Sequence, residues 1–202
     1  MIKILEKKER ALGTKLFIKG ERCSSSKCAM VKRPYRPGQH NKKFRKISEY
    51  GRQLAEKQKI RFSYGLKEKE IKQYFVLANK SNEPTDIAFI KLLEKRLDNV
   101  VFRLGLAPSR RVARQLVSHG HIKVNKKKTT IPSFIVKLND EIVLDVKKES
   151  PLIKDLDSRL KNYKMPLWFD FDKEKLIGKV LVEPKDIDIV FDLNLIINYY
   201  SR

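Results

Sequence analysis

The sequence predicts an α+β protein that begins with an extended basic arm. Three observations predict it. Apolar residues recur at helical spacing through most of residues 48–118. Short alternating runs follow, such as "HIKVN" (121–125) and "EIVLDV" (141–146). Residues 1–47 show neither pattern and are crowded with Lys and Arg.

The arm contains "CSSSKCAMVKRPYRPGQHNKKFRK", which has few large aliphatic residues and cannot bury much surface alone. Pro34, Pro37 and Tyr35 stiffen it, so it reads as a segment that orders on a partner. Arg33, Tyr35, Arg36 and His40 are its candidate contacts. Ser48 then caps a helix, "EYGRQLAEKQKIRFSYG", with Glu49 in its first turn and Gly65 at its exit. Arg52, Lys57, Lys59 and Arg61 leave much of that helix basic and are candidate contacts too. A second helix, "KEKEIKQYFVLANK", has Ile71, Tyr74, Phe75 and Leu77 as its expected core side. "SNEPTD" breaks the pattern. The run "IAFIKLLEKRLDNVVFRLG" follows as one longer helical pattern, closed by Gly105 and Pro108.

The next helix starts at Ser109 and stops at Gly120. Val112, Ala113, Leu116 and Val117 form its apolar stripe. Arg110, Arg111 and Arg114 lie off that stripe, in the first turn and a half, where positive charge opposes the helix macrodipole. A bound phosphate at that end would reverse the sign, because free amides and arginines would then attract it together. Ser109, Arg110, Arg111, Arg114, Gln115, His119, His121, Lys123 and Asn125 are therefore the expected polyanion surface. "TTIPSFIVK" and "EIVLDV" read as further strands, so 91–147 forms a helix–helix–β unit. "SPLIKDLDSRLKNY" reads as a helix, "MPLWFDFD" and "LIGKVLVEP" as short strands, and the chain ends in an amphipathic helix from about Asp192.

Charge points to the partner. The chain has 202 residues and a net charge of +22. Residues 1–80 carry +16 (23 basic, 7 acidic), residues 81–150 carry +6 (14 and 8), and residues 151–202 are neutral. Such a field favours a polyanion, with nucleic acid first. No run is long and apolar enough to span a bilayer, and the acids near the start argue against a targeting peptide. Enzyme signatures are lacking: there is no P-loop and no dinucleotide fingerprint. Cys23 and Cys28 could supply half of a zinc site, but four ligands are the rule and no other cysteine exists. The expectation is no cofactor.

The run "RLDNVVFRLGLAPSRRVARQLVSHGHIKVN" resembles the RNA-binding module of the small-subunit ribosomal protein S-four family. "KLFIKGERC", "RPYRPGQH", "SEYGRQLAEKQKIRFSYG" and the final "YYSR" are similar to the bacterial and organellar form of that family, in the family's order. The resemblance implies a fold in which the module is inserted into a helical domain. On that basis 1–47 is the arm, 48–90 with 184–202 the helical domain, and 91–183 the inserted domain with its module at 91–147. It implies a ribosomal structural protein, not an enzyme, that binds the small-subunit ribosomal RNA as a primary binder and nucleates assembly of the subunit body. It implies an arm near the mRNA entry channel, with Lys42, Lys43, Arg45 and Lys46 at matching positions. It implies contact with ribosomal protein S-five and an influence on translational accuracy. Location would be the ribosome of a bacterial cytoplasm or of an organelle. Zinc-bearing relatives have a second cysteine pair where this chain has Glu6 and Glu9, which favours a metal-free reading. The family usually has Asn-Gly at the hairpin tip. This chain has Asn125-Lys126-Lys127-Lys128, which predicts a wider turn, since Lys disfavours φ > 0.

Two other classes fit less well. An RNA-modifying enzyme carrying the same module needs a catalytic domain with an Asp motif. A helix-turn-helix DNA regulator leaves the strands and the arm unexplained.

Overall fold

The structure is a computed structural model. It describes residues 6–39, 46–146, 156, 159–160, 163–172, 175–184, 187, 189 and 191–201. The chain divides into two compact units, Met1–Ile90 with Asp188–Arg202, and Lys91–Ile187. The α+β class read from the sequence is the class observed, with helices in both units and one antiparallel sheet.

In the first unit, α1 (Lys7–Leu12), α2 (Glu21–Ser24) and α3 (Ala29–Lys32) fold part of what the sequence presents as an extended arm. The reason is a buried acid. The Glu9 Oε1 accepts hydrogen bonds from the backbone amides of Leu16 (2.9 Å) and Ile18 (3.3 Å). Cys23 and Cys28 are buried, and Leu16 and Ile18 pack with Leu12 and Phe62.

Helix α4 (Glu49–Ser63) starts where the Ser48 Oγ accepts from the Gly51 amide at 3.2 Å. Helix α5 (Glu68–Asn79) buries Ile71, Phe75 and Ala78. Ile71 and Phe75 are core as expected, but Tyr74 is half-buried and Leu77 is 54% exposed, and Ala78 takes the third inward place. Helix α6 (Thr85–Glu94) runs through the point where the chain passes to the second unit.

The last helix, α9 (Leu193–Tyr200), returns to pack on α4. Asp192 caps it, accepting from the Asn194 and Leu195 amides. The Tyr200 ring stacks on Phe75 at 5.1 Å, and its hydroxyl donates to Glu68 Oε1 at 2.9 Å. Burial, then the bond to Glu68, pushes the Tyr200 phenol above its ordinary range. The Lys57 ammonium donates to the same Glu68 oxygen at 2.8 Å and to Tyr199 Oη at 3.3 Å.

The second unit differs from the sequence reading in two places. The long apolar pattern is broken at Lys95–Arg96, giving α6 and then α7 (Leu97–Arg103). Arg96 is extended (φ −67°, ψ 137°) and bridges to Ile135. Its buried guanidinium forks onto Asp98, with Nε to Oδ1 at 3.0 Å and Nη2 to Oδ2 at 2.7 Å. Periodicity could not reveal that break, because the apolar spacing continues across it. The second difference is "TTIPSFIVK", which forms no strand beyond that bridge. Pro132 supplies no amide to a ladder, and Ile131, Phe134 and Ile135 are exposed.

Helix α8 (Arg110–Ser118) packs on α7. The sheet has strand order β2-β1-β3-β5-β4, all antiparallel: β1 (Ile122–Val124), β2 (Lys127–Lys128), β3 (Glu141–Leu144), β4 (Phe169–Asp172) and β5 (Ile177–Val180). Alternation puts Ile122, Val124, Ile142 and Leu144 into one core with Leu97, Val101, Leu104, Leu116 and Val117. Gly178 leaves room for Leu104: a Cβ on it would meet Leu104 Cδ1 at 2.7 Å, so that side chain would have to shift. Most of "SPLIKDLDSRLKNY" lies outside the described residues, but Leu156, Arg159 and Leu160 are helical and both leucines are buried in this core.

Candidate RNA interface

Helix α8 and the β1–β2 hairpin gather the second unit's candidate contacts. Ser109 sits at the N-cap in extended conformation, and its Oγ accepts from the Val112 amide at 3.4 Å. It is only 6% exposed, so its hydroxyl is committed to the cap and does not offer itself to a phosphate.

The arginines divide into two kinds. Arg110 Nε donates to Asn99 Oδ1 at 2.7 Å, its guanidinium lies 4.7 Å over the Phe102 ring, and Nη2 is 3.9 Å from Glu94 Oε1. Arg114 Nη1 is 4.0 Å from Asp98 Oδ2. Arg111 and Gln115 are exposed. The dipole problem at the start of α8 thus has an internal part-answer. Glu94 on α6 and Asp98 on α7, both buried, stand beside the two arginines and offset the repulsion.

Glu94 is the centre of this network. It is fully buried, and its carboxylate accepts from Asn99 Nδ2 (2.7 Å), Arg103 Nε (2.9 Å) and Arg103 Nη2 (3.0 Å). Sequence reasoning missed Glu94, Arg96, Asp98 and Asn99. The available signal was a cluster of polar residues within 94–99, between the apolar residues Leu92–Leu93 and Val100–Val101.

His119 is exposed at the C-cap of α8, and His121 is half-buried with its ring 6.2 Å away. Lys123 pairs with Asp145 at 2.8 Å, and that hydrogen bond holds the Asp145 carboxyl below its ordinary range. Asn125 Nδ2 donates to Asp140 Oδ1 at 2.8 Å, and Asn125 Oδ1 accepts from the Glu141 amide at 3.0 Å. The expected wider turn is not found. Val124 pairs with Lys127, so the loop is the two residues Asn125 (φ 49°) and Lys126 (φ 68°). Both have the positive φ of a type I′ turn, whose twist matches the flanking strands.

In the first unit, Arg33, Tyr35, Arg36, Lys46 and Arg52 are exposed. Arg10 organises the first of these: its Nε donates to the Arg33 carbonyl at 2.8 Å, and its guanidinium lies 5.0 Å over the Tyr35 ring. His40, Lys42, Lys43 and Arg45 lie outside the described residues. Three residues of α4 are placed otherwise than the sequence implies. Lys57 is 4% exposed and engaged with Glu68 and Tyr199. Lys59 pairs with Glu56 at 2.6 Å, and Arg61 is half-buried near Gln58 and Phe62. Helical spacing put them on a basic face, but α9 and the helix's own acids claim part of that face.

Glu6, Glu9, Cys23 and Cys28 do stand close enough for Glu9, Cys28 and Glu6 to add to the burial that pushes the Cys23 thiol up. Several of their atoms are already engaged, although Glu9 Oε2 is buried without a hydrogen-bond partner among the described residues. Glu9 Oε1 is already shared by two amides, Glu6 lies 3.2 Å from Arg22, and Cys23 Sγ accepts from the Lys19 amide. Among the described residues no group of three or more His, Cys, Asp or Glu converges to hold a metal.

A helix pair, a basic hairpin and a small antiparallel sheet thus share one core in the second unit. A family model described as "S4 domain" matches residues 95–142, and one described as "Ribosomal protein S4/S9 N-terminal domain" matches residues 5–94. The chain is 46% identical over 196 residues to "Small ribosomal subunit protein uS4" of Ruminiclostridium cellulolyticum, covering 96% of this chain and 94% of the relative. It is 46% identical to the protein of that name in Acetivibrio thermocellus and 47% to that in Desulforamulus reducens, with the same coverage. The chain belongs to the ribosomal protein S4 (uS4) family, bacterial type.

Proposed function

We propose that this chain binds the RNA of the small ribosomal subunit as a primary binder and helps nucleate folding of the subunit body. The observation that carries the reading is the division of the basic residues around α8. Arg110 and Arg114 are held by buried acids, while Arg111, Gln115, His119 and the hairpin lysines are presented outward. Each phosphate neutralised releases counterions, and recognition is of backbone and shape, since A-form RNA hides its base edges. The relatives' name supports the small subunit as the site, and their bacterial hosts support a ribosome in a bacterial cytoplasm.

The arm supplies a second contact. Lys42, Lys43, Arg45 and Lys46 would lie near the mRNA entry channel, and a partner of the S-five type would share the protein surface that influences accuracy. The neutral final 52 residues are consistent with protein neighbours in place of RNA.

The test is binding to small-subunit ribosomal RNA across a salt series, with Arg111→Glu against the unmodified chain. The expected result is a loss of roughly tenfold with a shallower salt slope. Unchanged affinity and slope would remove Arg111 from the interface. Co-sedimentation with small subunits tests the assignment as a whole.

A further inference from the structure

The hairpin tip holds a residue that costs the fold something. In the two-residue β1–β2 loop, Asn125 and Lys126 both have left-handed backbone, at φ 49° and 68°. Asn125 suits its place, because asparagine tolerates that region and its amide is tied to Asp140 and Glu141. Lysine has no such local compensation, and glycine is the residue that adopts this second position without strain. Lys126 is exposed, and among the described residues its ammonium has no hydrogen bond or ion pair. An unfavourable conformation kept at an exposed tip points to something outside the fold that uses the side chain.

The surroundings indicate what that is. Lys127 and Lys128 follow directly and are exposed. The Lys128 stem lies across the end of α8, since a Cβ on Gly120 would fall 2.1 Å from Lys128 Cε. That brings the lysine run against the turn that carries His119 and His121. The acids near this corner have partners of their own: Asp145 is held by Lys123, and Asp140 accepts from Asn125 and from the Lys137 amide. An exposed Lys126 at the tip, with Lys128 reaching the turn of the two histidines, gives a basic edge that suits phosphates, and lysine's compact charge suits backbone oxygens over base edges.

We infer that Lys126 is a phosphate contact of this chain's RNA interface, retained in a strained turn position for its charge. The inference rests on the ribosomal-RNA reading above. Its test is Lys126→Gly, with Lys126→Ala and Lys126→Arg beside it, measured for thermal stability and for small-subunit RNA binding at several salt concentrations. Lys126→Gly should melt higher, by about 2–4 °C, and bind roughly threefold to tenfold more weakly with a salt slope reduced by about one. Lys126→Ala should lose the same affinity without the gain in stability, and Lys126→Arg should keep the affinity and the melting temperature of the unmodified chain. Binding by Lys126→Gly equal to that of the unmodified chain, with the same slope, overturns the inference. A fall in its melting temperature overturns the strain on which it stands. Failure of the unmodified chain to bind at any salt overturns the functional reading instead, so the two failures are distinct.

Discussion

Glu94→Ala isolates the polar network beneath α8. The substitution removes the acceptor of three hydrogen bonds, from Asn99 Nδ2 at 2.7 Å and from Arg103 Nε and Nη2 at 2.9 and 3.0 Å. Bonds of this charged kind contribute about 1.5–3 kcal/mol each, which sums to about 4.5–9 kcal/mol. Removing one partner of a buried ion pair costs less than that sum, about 3–5 kcal/mol. The lower end applies here, because the Arg103 side chain is 19% exposed and its guanidinium regains water. The expected loss is therefore about 3 kcal/mol. Trp168 is the sole tryptophan and is buried in the second unit's core, so its fluorescence in a urea titration reports that unit alone. With an m-value of about 1–1.5 kcal/mol/M, near the low end for small proteins, the midpoint should fall by roughly 2–3 M. Arg103→Ala made alongside completes a cycle in which the two losses overlap, with a coupling of at least about 1 kcal/mol. A single-variant loss below about 1 kcal/mol, or strict additivity in the cycle, would refute the view that Glu94 ties α6, α7 and α8 together.

Two further outcomes are expected in the helical unit. Lys57→Met should lower stability because it leaves Glu68 and Tyr199 without their cation, yet leave the RNA salt slope unchanged; a flattened slope with intact stability would return Lys57 to the interface. Burial tends to raise the Glu68 carboxyl, but the hydrogen bonds from Lys57 and Tyr200 outweigh it and hold it below the ordinary glutamate value. Its stabilisation is thus present above that value and lost as pH falls below it, so melting temperature between pH 6 and pH 3 should drop more steeply in the unmodified chain than in Glu68→Gln, and parallel curves would refute this.

Much of the fold was legible because each element followed a local rule. The Ser48 and Ser109 caps, the turn at Gly120 and the alternation of Ile122, Val124, Ile142 and Leu144 are all visible in short stretches of sequence. What was not legible depended on distant partners. Lys57 reads as a basic surface residue until Tyr199, which lies 142 positions away, covers it. Arg96 reads as one more residue of a long helix until Asp98 and Ile135 engage it in an extended conformation. Glu9 reads as one acid in a basic arm until its carboxylate is found gathering the Leu16 and Ile18 amides. The candidate interface was legible as a list of basic residues, but not in its division of labour. Nothing local in "SRRVAR" separates an arginine braced from beneath by Asn99 and Glu94 from one that faces outward. Lys126 was flagged by turn chemistry, which named the conflict correctly and then resolved it the wrong way. The chain accepted the strained turn and kept the tight loop.

The return of α9 to α4 has a consequence for how the protein is made. The helices of the first unit leave the synthesising ribosome first, but the residues that cover Lys57, Glu68 and Phe75 begin at Leu193, roughly a hundred positions after α6 ends at Glu94. At about 5–20 residues per second that interval is about 5–20 s. Helical domains otherwise assemble in microseconds to milliseconds. For most of that time the second unit is itself still being made, its core closing only when Trp168, Phe169 and Val180 have emerged, while the first unit waits without the helix that covers Phe75. The order of completion is set by translation, not by the intrinsic folding speed of either unit.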